Sequence, residues 1–239
     1  MIADFHPTLT EKIQLSHDVW RLVFTLQPQE QLEFAAGQYM ILRVGEVRRL
    51  YSVLSSPAEK GTFELLVEMV PNGIGSSHLS DLKIGESAFF QGPAGIFSIK
   101  DERPQKIFMA TGTGIAPILS MIKTLLQTGW KEDVYLYWGL RAKKDLYLVQ
   151  EIKDLCLAYP NLRAMICLSQ ETDENVFADS LFRKGRINMY VHGHITKDAE
   201  IKNSATFYIC GAQPVVESLK TFVAENGIEK ANIHFEKFV

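Results

Sequence analysis

A glycine-rich turn between an apolar segment and a helical pattern constrains the second half of the chain. Residues 107–110 are apolar, residues 111–114 read Thr-Gly-Thr-Gly, and residues 117–127 carry a helical pattern. A short apolar run bounded by glycines is typical of a buried parallel strand, and Pro117 suits the first position of a helix. The segment therefore predicts a strand, a tight turn and a helix in immediate succession.

The same alternation continues to the end of the chain. Strand patterns lie at residues 134–138, 164–168 and 206–210, and helical patterns at 146–158 and 214–225. Alternation at this spacing predicts a doubly wound parallel sheet, and we assign it to a domain over residues 106–239. Residues 170–204 show no clear pattern.

Residues 1–99 instead predict an antiparallel barrel with Greek-key topology. Short β-favouring segments are separated by turn formers at residues 11–15, 19–26, 39–44, 49–54, 62–70 and 87–91. One short helix is predicted at residues 77–82, with Ser76 or Ser77 as its N-cap. Many short strands with one helix favour a closed or nearly closed barrel. The charged stretch KDERPQ, residues 100–105, is the predicted linker between the two domains.

Composition excludes several classes of protein. The 239 residues are 46% hydrophobic with a net charge of −3, so bulk charge does not indicate a nucleic-acid partner. The three cysteines form no C-x-x-C pair, which argues against a disulfide framework, a metal site or a cysteine-ligated iron–sulfur cluster. No signal peptide and no apolar run of about 18 residues is present. We expect a cytoplasmic monomer with no membrane partner.

Two glycine-containing turns are candidates for nucleotide binding. Small residues over 111–114 let the backbone approach a ligand, and the following helix presents free N–H groups to a phosphate. Cys210 and Gly211 repeat the arrangement of strand, small residues, proline and helix, so both turns would border one crevice of the sheet. The structural alternatives are a tight turn without ligand and a buried, inert Cys210.

The string RLYS, residues 49–52, places a cation, an aromatic ring and a hydroxyl together. In a strand, Arg49 and Tyr51 would share one face and Leu50 and Ser52 the other. Arg49 could hold a phosphate and Tyr51 could stack on a planar ring, although an edge strand with an exposed arginine is the alternative. Residues 75–77, Gly-Ser-Ser before the short helix, form a second candidate phosphate site, or a capped surface turn.

These motifs occur in a specific order. The strings RLYS, GIGSS, GPAGIF, ATGTGIAP, YWGLR, YICG and FEKF follow one another over residues 49–238. This ordered set resembles the ferredoxin–NADP+ reductase superfamily, whose members pair an FAD-binding antiparallel barrel with an NADP-binding α/β domain. The resemblance covers nearly the whole chain.

The resemblance implies a role for each matching residue. Arg49 would pair with FAD phosphate, Tyr51 would stack on the isoalloxazine and Ser52 would hydrogen-bond its N5 edge. Leu50 belongs to the same flavin-binding string. The flavin phosphates would also contact Gly75, Ser76 and Ser77. The nicotinamide-nucleotide loop would comprise Thr111, Gly112, Thr113, Gly114 and Pro117.

Four further residues are implied to lie beside the reacting rings. Cys210 and Gly211 match the C-G pair next to the nicotinamide, and Ser52, Cys210 and Glu236 would orient hydride transfer or relay a proton. Phe238 would cover the flavin face opposite Tyr51. The structural alternative for residues 233–239 is an ordinary final strand.

The choice of coenzyme rests on basic residues. Arg141 with Lys143 and Lys144, and Arg183 with Lys184 and Arg186, could hold a 2′-phosphate, and Ser169 resembles a family position at this site. Gln170 stands where many relatives carry arginine. We expect NADPH, with NADH as the alternative.

The sequence predicts an FAD-dependent NADP(H) oxidoreductase that exchanges electrons with a separate ferredoxin or flavodoxin. Three alternatives stay open. One is the reductase component of an oxygenase system, and another is an NAD(P)H:flavin reductase that uses free flavin as a substrate. The third is a flavin- or nucleotide-binding subunit without turnover.

Overall fold

The computed structural model describes residues 2–100, 103–197 and 200–238. Asp101 and Glu102 of the predicted linker lie outside these ranges. The chain divides into two compact units, Met1–Ile99 with Leu119–Thr128 and Lys100–Ile118 with Gly129–Val239.

Seven strands and one helix form most of the first unit. They are β1 Ala3–Phe5, β2 Thr8–Gln14, β3 Val19–Thr25, β4 Tyr39–Val44, β5 Val47–Ser52, β6 Thr62–Glu68, α1 Ile74–Asp81 and β7 Phe90–Ala94. The strands pair antiparallel in two sheets, of order β1-β7-β4-β5 and β2-β3-β6.

Two isolated bridges join these sheets into a nearly closed barrel. Val53 bridges to Leu65 at one seam, and Thr8 bridges to Ser87 at the other. The order β7-β4-β5-β6 is a Greek key, because three consecutive strands are followed by a fourth that returns beside the first. The barrel therefore matches the predicted fold class. Its core contains Phe24, Phe63 and Phe90, whose ring centroids lie 5.1 to 5.4 Å apart.

The second unit is a six-stranded sheet flanked by helices. Its elements are β8 Gln105–Thr111, the first residues of α2 Ile115–Gln127 (whose residues 119–127 belong to the first unit), β9 Val134–Leu140, α3 Val149–Ala158, β10 Leu162–Leu168, β11 Phe182–Lys184, α4 Ile187–Lys197, α5 Ile201–Ser204, β12 Ala205–Ala212, α6 Gln213–Glu225 and β13 Ile233–Phe238. The sheet order is β11-β10-β9-β8-β12-β13, and every pair is parallel. The predicted doubly wound sheet is confirmed.

The central strands carry apolar side chains on both faces of the sheet. On one face, Ile107, Met109, Phe207 and Ile209 pack into a core with helix side chains such as Val191, Val216 and Val223. On the other face, the Phe108 and Tyr208 rings stack with centroids 5.0 Å apart. Both faces are buried, as in other all-parallel sheets.

Several predicted boundaries were wrong. The short helix begins at Ile74 with Gly73 as its N-cap, so Ser76 and Ser77 lie inside it. The helix after the glycine-rich turn begins at Ile115, and Pro117 is its third residue. The glycines themselves form a 3-10 turn, Gly112–Gly114.

The region without a clear pattern contains β11 and α4, which supply the sheet edge and part of one helical layer. The longest helices have 13 residues. Within the described ranges, none is long and apolar enough to cross a membrane.

Candidate functional site

In the first unit, helix α1 lies against the side chains of the RLYS strand. Gly75 is buried, and a Cβ atom added to it would stand 2.6 Å from the Tyr51 hydroxyl and 2.8 Å from Arg49 Cγ. Only glycine permits this approach without displacing a neighbour. The two segments that the sequence singled out for phosphate binding therefore meet in one place.

The register of β5 fixes which side chains face α1. Arg49 lies opposite Leu42 and Tyr51 opposite Met40, both of which are buried in the barrel core. Leu50 points to the other face and is 58% exposed. Ser52, on the same side as Leu50, is 8% exposed.

The amino end of α1 offers backbone donors to a phosphate. The first helical hydrogen bond runs from Ser77 N to Gly73 O at 2.8 Å, so the N–H groups of residues 74–76 precede the intrahelical ladder. The Ser76 hydroxyl turns back to the preceding loop, 3.0 Å from Val70 O and 3.2 Å from Gly73 O. Ser77 is exposed. We therefore expect Ser76 to contribute its backbone N–H.

Burial and charge set the state of Tyr51. Burial raises the pKa of its hydroxyl to about 12, and the neighbouring Arg49 charge acts in the opposite direction. The ring is therefore neutral at ordinary pH and partly exposed for stacking. A guanidinium, a neutral aromatic ring and a helix amino end around a glycine fit the phosphate and the planar ring of FAD.

In the second unit, the two candidate nucleotide turns touch through their backbones. A Cβ on Gly114 would stand 2.5 Å from Cys210 O, and one on Gly211, at φ +150°, would overlap Thr111 Oγ1. Trp138 Nε1 donates a hydrogen bond to Gly112 O at 3.1 Å. The glycines thus let the carboxyl ends of β8 and β12 close against each other. The two glycine-containing turns therefore have the position and the backbone packing expected of a nucleotide-binding loop at the carboxyl edge of the sheet.

Cys210 and Glu236 are cross-strand neighbours at this edge. Their Cα atoms are paired in the parallel register of β12 and β13, and Ala212 is paired with Phe238. Cys210 is fully buried, and burial together with the Glu236 charge holds the pKa of its thiol well above 9.0. Cys210 therefore stays a neutral thiol. Glu236 and Phe238, two residues apart, point to the same side of the sheet.

The residues predicted for the 2′-phosphate also follow strand ends. Arg141, Ser169 and Arg186 come after β9, β10 and β11. Backbone hydrogen bonds tie two of these segments together, from Gln170 N to Arg141 O at 2.7 Å and from Ser169 N to Leu140 O at 3.1 Å. Arg141 and Arg186 are exposed.

Two of the basic side chains predicted to bind a 2′-phosphate already contact other groups of the protein. Arg183 donates to the carbonyls of Ser180 and Phe182 at 2.8 and 2.7 Å. Lys184 forms an ion pair with Glu174. Arg141 and Arg186, which are exposed, are therefore the stronger candidates among the predicted cations for binding a 2′-phosphate.

Sequence reasoning missed Glu171. Its carboxylate accepts hydrogen bonds from the backbone N–H groups of Lys143, Thr172 and Asp173 at 2.7, 2.8 and 2.8 Å. The sequence shows only that Glu171 is an acid three residues beyond a predicted strand. Its contact with the loop after β9 depends on the tertiary structure, so the sequence could not reveal it.

The predicted site residues fall into two groups. The first unit brings together Arg49, Tyr51 and Gly75, and the second brings together the strand ends with Thr111, Gly114, Cys210, Gly211 and Glu236. The expected arrangement of Tyr51 and Phe238 on opposite faces of one flavin stays a prediction.

Family models match most of the chain. Residues 6–99 match an oxidoreductase FAD-binding domain, and residues 108–221 match an oxidoreductase NAD-binding domain. Together the matches confirm that the ligands are FAD and a pyridine nucleotide.

Individual relatives agree. A Ralstonia protein named as the ferredoxin–NAD(P)+ reductase component of naphthalene 1,2-dioxygenase/salicylate 5-hydroxylase systems is 30% identical over 97% of this chain and 68% of its own length. The crystal structure of the Amycolatopsis reductase GcoB is 26% identical, with a TM-score of 0.87 over 99% of this chain and 70% of that one.

A more distant structure shows the same fold. Ferredoxin–NADP+ reductase from Plasmodium falciparum is 19% identical, with a TM-score of 0.81 over 98% of this chain and 96% of that one. The chain therefore belongs to the ferredoxin–NADP+ reductase superfamily of flavoprotein oxidoreductases.

Proposed function

We propose that this chain is a reductase that takes electrons from NADPH or NADH and delivers them to a separate electron-transfer protein. Residues 1–99 would bind FAD and residues 106–239 the nicotinamide nucleotide. The observation that carries the proposal is the contact of Gly75 with Arg49 and Tyr51, because it unites a phosphate-binding cation, a stacking ring and a helix amino end. The closed backbone turns at Gly114 and Gly211 support the nucleotide half.

In the first unit, the chain's own residues bind the phosphates of FAD and orient its ring. Arg49 and the amino end of α1 hold phosphate through charge-assisted hydrogen bonds. Tyr51 stacks on the flavin ring, and Ser52 offers a hydroxyl at the ring edge. FAD, when bound, supplies the redox chemistry, accepting a hydride and releasing electrons one at a time.

The second unit orients the nicotinamide. The glycine loop after β8 would hold the phosphates, and the buried Cys210, as a neutral thiol at the end of β12, would place no charge on the nicotinamide side of the site. Glu236, beside Cys210, orients the nicotinamide or holds a proton. By resemblance to the family, Phe238 would shield one face of the flavin ring.

The electron acceptor is proposed to be ferredoxin, flavodoxin or an oxygenase component. The Ralstonia relative is named as a reductase component of oxygenase systems, and this chain spans about two thirds of its length. Cys156, Cys167 and Cys210 are free thiols on three different elements. An acceptor with cysteine-held iron is therefore a separate chain or a segment beyond this sequence.

The test is flavin content combined with electron delivery. We expect the purified protein to be yellow with about one FAD per chain and to reduce ferredoxin or flavodoxin when given a nicotinamide coenzyme. A colourless protein that consumes added flavin would support the flavin reductase instead. A protein that binds flavin but is not reduced by either coenzyme would be a binding subunit.

A further inference from the structure

The carboxylate of Glu171 is fixed at the carboxyl edge of the parallel sheet. One oxygen accepts from Thr172 N and Asp173 N, both at 2.8 Å, and the other accepts from Lys143 N at 2.7 Å. The first two bonds shape the local turn. The third reaches across to the loop that follows β9.

That loop also carries Arg141. The segment ends in a 3-10 turn, Lys143–Asp145, and Arg141 O accepts from Gln170 N at 2.7 Å. The Glu171 carboxylate thus lies beside the backbone that carries one of the two cations considered for a 2′-phosphate. In doubly wound sheets, the adenosine ribose binds at the carboxyl end of the strand that pairs with the strand before the nucleotide loop, which here is β9. An acid at that strand end binds a free 2′-hydroxyl, whereas an arginine binds a 2′-phosphate.

No acid stands directly at the end of β9, and the first one after it, Asp145, accepts a hydrogen bond from Ala142 N at 2.9 Å within the same loop. Glu171 lies in the loop after β10, and its carboxylate contacts the loop after β9 at Lys143 N. Its backbone hydrogen bonds, from Asp173 and then Lys143, hold the pKa of the carboxyl below its usual range. The group therefore keeps its negative charge at neutral pH.

Hydrogen-bonding capacity points to a hydroxyl as the ligand. An ionised carboxylate has about four acceptor positions. Three are filled by backbone N–H groups, which leaves room for one further donor such as a ribose hydroxyl. A phosphate has no proton to donate when fully ionised, and its charge is repelled by the carboxylate.

We propose that Glu171 is a specificity residue that favours the free 2′-hydroxyl of NADH over the 2′-phosphate of NADPH, against the attraction of Arg141 and Arg186. The inference rests on the proposed function. It replaces the expectation of NADPH that the basic residues alone gave.

The experiment measures binding and reduction with both coenzymes. NAD+ and NADP+ are titrated into the FAD-loaded protein by calorimetry, and flavin reduction by NADH and NADPH is followed by rapid mixing. We expect the native protein to prefer NADH and Glu171→Gln to shift the ratio toward NADP(H) by on the order of tenfold. Glu171→Lys should shift it further in the same direction.

Glu132→Gln is the matched control. It removes an exposed acid just before β9, at the opposite edge of the same sheet. We expect the ratio of the two coenzymes to stay unchanged in this variant. A shift as large as that of Glu171→Gln would overturn the proposal, because the loss of any one negative charge would then have the same effect.

Other outcomes separate the two proposals. A native preference for NADPH, or equal weakening of both coenzymes in Glu171→Gln, would overturn the role of Glu171 and leave the reductase assignment intact. Absence of binding and of reduction by either coenzyme would overturn the proposed function together with this inference.

Discussion

Gly75 lies against the hydroxyl of Tyr51, and a single added methyl group would stand 2.6 Å from that oxygen. The contact links the amino end of α1 to the strand that carries Arg49. We propose that the amino end of α1 and the Arg49 strand together hold the phosphates and the ring of FAD.

Gly75→Ala should weaken flavin binding. The new methyl group forces Tyr51 or Arg49 to move, at a cost of about 1–3 kcal/mol. We expect FAD to be lost on gel filtration, measured as flavin absorbance per protein. Gly193→Ala is the control, because it is also a helical glycine but has no atom within 4 Å of the added Cβ. Loss of flavin from both variants would argue against the contact.

Arg49→Ala should lower FAD affinity by roughly ten- to a hundredfold, the usual effect of losing a charged hydrogen bond. Equilibrium titration of the apoprotein with FAD measures it. Arg48→Ala is the matched control, because Arg48 is an exposed neighbour whose side chain lies on the opposite face, across from Arg43. Equal losses of FAD affinity in the two variants would mean that Arg49 acts only through its positive charge and does not contact the phosphate.

Glu236→Gln should slow flavin reduction by about tenfold or more while leaving coenzyme affinity little changed, if the carboxylate orients the nicotinamide or holds a proton. Rapid mixing separates the two quantities. Lys237→Gln serves as the control, because Lys237 points to the other side and pairs with Glu217 at 3.0 Å. An equally slowed reduction in Lys237→Gln would contradict a role of Glu236 at the reacting rings. An unchanged reduction rate in Glu236→Gln would contradict it as well.

Stability should fall at alkaline pH. Burial raises the pKa of the Cys167 thiol from 9.0 to about 12. Between these two pH values the thiol therefore stays protonated in the folded protein but loses its proton in the unfolded chain. The stabilisation is complete below about pH 9 and is lost as pH rises toward 12, by about 1.4 kcal/mol per pH unit for this thiol. Urea unfolding at about pH 8 and about pH 10 measures it.

Cys167→Ala tests the source of this alkaline loss. The difference in unfolding free energy between the native protein and the variant should shrink from about pH 8 to about pH 10. A difference that does not change with pH would mean that the thiol is not the titrating group.

Sequence patterns predicted the fold because its elements follow local rules. The apolar run at residues 107–110, the glycine turn and the helical pattern at 214–225 occur where the structure has a strand, a turn and a helix. The start of α1 was wrong because Gly73, which has no side chain to form a cap, is its N-cap. A serine pattern could not reveal that.

The site was only partly predictable for a related reason. Arg49, Tyr51 and Gly75 were each identified, but their contact depends on how α1 packs on β5. Arg183 and Lys184 looked available for a phosphate, yet carbonyls and Glu174 occupy them. Glu171 was missed because its reach to Lys143 joins residues 28 positions apart.

The central claim is that the chain binds FAD and reduces it with a nicotinamide coenzyme. Anaerobic rapid mixing of the purified protein with NADH and with NADPH tests it most directly. We expect one bound FAD per chain, which both coenzymes bleach and which NADH bleaches faster. A protein that holds no flavin, or whose bound flavin neither coenzyme bleaches, would contradict it.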